Sequence, residues 1–194
     1  IKPKSKISSF YLYDGVVESF LADFGCLILP HTNKKEIFEF WSFLIKNPAQ
    51  LSMGVSSILP IIDQESFTVF QETWFMNPKE YSRAVLFYIL CNCSDLGFAS
   101  VGKMDKSNIS PFSLSKLSSF SIKNFYPIFD DCENTLDALE TAKKTDYILL
   151  PVGNYSLNLF EQGKNKGPEM YTFNHKEIHA RVKDLDKKCI LLYK

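Results

Sequence analysis

Apolar residues recur along this chain in two rhythms, alternating over short runs and returning every third or fourth position over longer ones, and the two rhythms predict strands and helices in turn. SFYLY at 9 to 13 reads as a short buried strand, and in DGVVESFLADFG the glycines at 15 and 25 bracket an apolar stretch of helical spacing. CLILP makes a second strand that runs to Pro30. In HTNKKEIFEFWSFLIKNPAQL, residues Ile37, Phe40, Trp41 and Leu44 fall at helical spacing; Thr32 or Asn33 supplies a cap, and Asn47 with Pro48 marks the stop.

From about 55 to 118 the texture becomes helical, with helices expected over ESFTVFQETWF and PKEYSRAVLFYILCNC; Pro78 suits a first turn, and Glu80 and Arg83 share one face. GFASVGKMDKSNISPFS, rich in Gly, Ser and Asn, reads as a long surface loop. SFSIKNFY at 119 to 126 predicts a strand, the acidic run DDCENTLDALE opens a helix, and TDYILLPVG gives a further strand. EQGKNKGPE reads as a loop, FNHKEIHARVKDLD as an amphipathic helix and CILLY as a final buried strand. Strands alternating with helices imply an α/β fold with an open, mostly parallel sheet.

Composition narrows the class. With 194 residues, 45% of them hydrophobic, the chain can bury a core of one compact domain, with room for a subdomain. AVLFYILC at 84 to 91 is the most apolar run and is far shorter than a bilayer requires, so no membrane partner is expected. The 22 Lys and Arg balance the 22 Asp and Glu, which removes the global positive field that drives tight phosphate binding. Five cysteines in no ladder of spacings fit free thiols in a reducing compartment, and Cys91 and Cys93 lack the partners of a zinc knuckle.

Three stretches, CLILPHTNKKEIFEFWSFLIKNPAQL at 26 to 51, NPKEYSRAVLFYILCNCSDLGF at 77 to 98 and TDYILLPVGNY at 145 to 155, together with YTFNHKEIHARVKDLDKKCILLY at 171 to 193, resemble in order and spacing the Dam-type adenine-N6 DNA methyltransferase family. The resemblance implies a methyltransferase-like, Rossmann-like core over 1–54 and 119–194 with a helical insert over 55–118 that is similar to a target-recognition subdomain. The family continues past the last matched strand, so the sheet is expected to be incomplete at the carboxyl terminus and its edge to be covered by a partner chain. The start at Ile1, behind IKPKSKISS, reads as processed or trimmed.

The chemistry of that family needs residues that this chain lacks. A methyl donor of the S-adenosylmethionine type needs a tight glycine turn after the first strand and an acid after the second, for the ribose hydroxyls. In place of the family's Phe-x-Gly-x-Gly turn stands YDGVVESF, which keeps only Gly15, and His31 stands where the acid belongs. Lys2, Lys4 and Lys6 precede the strand, without the family's Gly-Gly-Lys motif. Its Asp-Pro-Pro-Tyr loop, which holds the flipped adenine, is matched by Val152, Gly153, Asn154 and Tyr155, so the carboxylate and both prolines are gone. Gly153 and Asn154 read as a turn after a buried strand.

Other candidates carry less. His175 and His179 lie four apart without a third ligand, so no metal is expected, and no Ser-His-Asp or Cys-His signature is present. Lys103, Lys106 and Asn108, with Lys116 beyond them, correspond to a region near the family's DNA contacts, and Phe112 could stack beside a strand; a solvated loop is the blander reading. The expectation is therefore a catalytically inactive methyltransferase-like domain, without a cofactor. It would serve as a structural, scaffolding or interaction component among other protein chains, intracellular or virion-associated; a Phe, Lys, Asn and Ile bias suits an AT-rich, viral genome. Two alternatives are an active adenine methyltransferase using S-adenosylmethionine, with Asp14, Glu18 or Asp146 replacing the missing acids, and a non-catalytic DNA-binding module.

Overall fold

The computed structural model describes residues 1–10, 12, 14–130, 142–156, 170–173, 175–183 and 188–193. The helix expected from the acidic run at 130–140, apart from Asp130 and its neighbours before it, and the loop expected at 161–169 lie outside these residues. The chain divides into two compact units, one built from Ile1–Phe38, Ile122–Leu157 and Met170–Lys194, the other from Glu39–Ser121. No helix among the described residues is long and apolar enough to cross a membrane.

The first unit is an α/β sheet of Rossmann-like type. Strands β1 (Lys6–Phe10), β2 (Leu27–Thr32), β3 (Ile128–Phe129), β4 (Tyr147–Ser156), β5 (Met170–Phe173) and β6 (Lys188–Tyr193) are accompanied by helices α1 (Val16–Asp23) and α7 (His175–Lys183). The order is β3-β2-β1-β4, with β6 also on β4; these five run parallel, and β5 pairs antiparallel with the far end of β4. Ile7, Ile28, Ile148 and Leu150 are wholly buried in it.

Three strands depart from the sequence expectation, each for a local reason. β1 begins at Lys6 rather than at residue 9, because the Lys6 amide donates to Asp146 Oδ2 at 2.8 Å and the Asp146 amide returns to the Lys6 carbonyl at 2.8 Å. Ser8 and Ser9 are buried within it and interrupt the apolar rhythm that marks a strand. β2 continues through His31 to Thr32, beyond the Pro30 boundary. The strand expected at 119–126 is reduced to one bridge, Phe125 to Ile28, followed by β3; Asn124 takes a left-handed φ of 60° and turns the chain there.

The second unit is helical. α2 (Lys35–Lys46) leads into it, and α3 (Pro48–Ile58), α4 (Gln64–Thr73), α5 (Glu80–Cys93) and α6 (Pro111–Ser118) follow. Asn47 and Pro48 interrupt rather than end the helical run, since Asn47 leaves helical geometry at φ −140° and proline is tolerated at the first position of a new helix. α6 was not expected, as its sequence reads as the end of a loop. Ser110 starts it by accepting from the Ser113 amide while the Ser113 hydroxyl accepts from the Ser110 amide, a reciprocal cap, with Pro111 in the first turn. Phe67, Trp74, Leu51, Ile89 and Leu90 form the core, with the Trp74 and Phe87 rings 5.5 Å apart.

Candidate functional site

In an open parallel sheet, ligands bind beyond the carboxyl ends of the strands, close to the point where the strand order reverses. Here β1 is flanked by β2 on one side and β4 on the other, and among the described residues Phe10, His31 and Asp130 stand at that edge.

Leaving β1, the chain turns at Gly15, whose φ of 65° is left-handed, and enters α1. The amino end of α1, where backbone amides would otherwise receive an anion, is filled by the chain's own carboxyls. The Val16 amide donates to Asp14 Oδ1 at 3.1 Å. Glu18 is buried and accepts a hydrogen bond from the Ser9 hydroxyl at 2.5 Å. Burial pushes the Glu18 carboxyl above its ordinary range, and the Asp14 charge acts in the same direction; the Ser9 hydroxyl and the residue's own amide oppose them. Ser9 stands in register with Pro30 on β2 and Leu149 on β4, so Glu18 satisfies a hydroxyl that the sheet buries.

His31 lies within β2 opposite Phe10, and the two rings stack 4.4 Å apart at 18°. Its Nδ1 meets Asp130 Oδ2 at 2.5 Å, just beyond β3. The ring and the carboxylate share this one hydrogen bond, and the tautomer of the ring sets the role left to Nε2. His31 Nε2 and Asp130 Oδ1 are both buried and have no hydrogen-bond partner among the described residues. These two atoms are the unmet hydrogen-bonding capacity of this edge among the described residues. Asp130 is the residue that the sequence reading missed: it brings a carboxylate to this edge from just beyond β3, and 99 positions separate it from His31, too far for any spacing rule.

The four positions matched to the catalytic loop occupy a strand. Val152 pairs with Tyr193 of β6, while Gly153, Asn154 and Tyr155 pair antiparallel with Phe173, Thr172 and Tyr171 of β5. The turn expected at Gly153 and Asn154 is thus replaced by continuous β4, whose backbone groups are taken up by the ladder. Asp146 stands at the opposite end of β4, where it binds the Lys6 amide.

In the helical unit, the residues proposed for nucleic acid make contacts within the fold. Lys106 Nζ donates to the Leu59 carbonyl at 2.8 Å, just beyond α3, and Asn108 Nδ2 donates to the Asn92 carbonyl in α5 at 3.2 Å. The Lys103 amide donates to Asp95 Oδ1 at 2.8 Å, and Lys116 lies 4.6 Å from the centre of the Phe112 ring, one helical turn away. Phe112 itself is exposed. His175 and His179 both fall on α7, with His179 exposed, and no group of three metal-binding side chains occurs among the described residues. Cys26, Cys91, Cys93 and Cys189 are free thiols; Cys132 lies outside the described residues. In comparisons with known proteins, no protein family and no curated sequence matches this chain.

Proposed function

We propose that this chain is a methyltransferase-like domain that has no methyl-transfer activity and serves as a structural or interaction component among other protein chains. The observation that carries this reading is the course of β4. Base methylation needs acceptors and a platform presented on a loop beyond a strand tip. Val152–Tyr155 are instead held in a ladder with β5 and β6. The crowded amino end of α1 supports the same reading, because Asp14 and Glu18 bring negative charge and side-chain volume to the place where a glycine turn would admit a donor.

The His31–Asp130 pair favours a second reading, in which a nucleoside-like ligand still binds at the sheet edge without transfer, its hydroxyls hydrogen-bonding with Nε2 and Oδ1. Calorimetric titration with S-adenosylmethionine, followed by a methylation assay on adenine-containing DNA, tests both. The first reading expects no binding heat and no transfer. Binding without transfer, lost in His31→Ala, would favour the second, and transfer would overturn both.

A further inference from the structure

We draw no further inference here: the strongest candidate, the outward apolar face of α1 on which Val16, Phe20 and Phe24 are exposed, is flanked by exposed Asp14 and Asp23, and nothing in the structure shows what covers it.

Discussion

Arg83 and Glu39 form a buried, two-pronged ion pair across 44 residues of sequence: Arg83 Nε donates to Glu39 Oε2 at 2.7 Å, and Nη2 to Oε1 at 2.6 Å. A third nitrogen, Nη1, donates to the Asn77 carbonyl just before α5. Arg83 shares a helix face with Glu80 in the sequence, yet it is only 8% exposed and its carboxylate partner is Glu39 on α2. Removing one partner strands the other charge away from water, which typically costs about 3–5 kcal/mol. Arg83→Met should therefore lower the urea midpoint sharply, whereas Arg83→Met with Glu39→Met should recover much of the loss. Equal damage from the single and double variants would contradict this account.

The approach of α3 to α5 depends on Gly54. A Cβ built there would stand 2.6 Å from Val85 Cγ2 and overlap the Tyr81 hydroxyl, which itself donates to the Gln50 carbonyl at 3.3 Å. Alanine would gain about 1 kcal/mol of helix propensity, but overpacking against a stiff, buried valine costs about 1–3 kcal/mol. Gly54→Ala should thus be net destabilising in thermal melts, and Val85→Ala should cost less in the Gly54→Ala background than alone. A raised melting temperature for Gly54→Ala would show that the helices can separate freely.

Cys26, Cys91 and Cys93 should be unreactive in the folded chain. Burial pushes the Cys91 thiol up to about 12 and the Cys93 thiol up to about 11, and raises that of Cys26 as well. Alkylation proceeds through the thiolate, which at pH 8 is then a minute fraction. Iodoacetamide should modify all three only after denaturation, as mapped by peptide mass spectrometry. Rapid native labelling of Cys91 or Cys93 would mean that the carboxyl end of α5 opens on the timescale of the reaction.

The sheet was legible because its strands carry dense apolar runs such as CLIL and YILL, and the parallel order follows from strands alternating with helices. The strand starts were less legible, since β1 is fixed by the Lys6–Asp146 contact across 140 positions and contains two buried serines. α6 hid behind a serine-rich sequence whose capping role appears only once Ser110 and Ser113 are seen to bond each other. At the candidate site, Gly15, Glu18 and His31 could be named from position alone. Their partners could not: Asp130 reaches His31 through the parallel pairing of β2 with β3, and no local pattern encodes that contact.

The Glu18 carboxyl gives the first unit a pH dependence of defined sign. Its folded value lies above the ordinary 4.5, chiefly through burial, so the folded state holds the proton more tightly than the unfolded one. Below the unfolded value both states are protonated and there is no penalty. As pH rises through the folded value the buried carboxylate must ionise, and folding stability falls until both states are charged, by about 1.4 kcal/mol for each pH unit of displacement. Glu18→Gln keeps an oxygen to accept from Ser9 while removing the charge. Urea unfolding in a pH series should find the variant equal to the parent near pH 4 and more stable at pH 7. A variant less stable at pH 7 would mean that the ionised carboxylate strengthens the fold, through Ser9 or the α1 amides, by more than its burial costs.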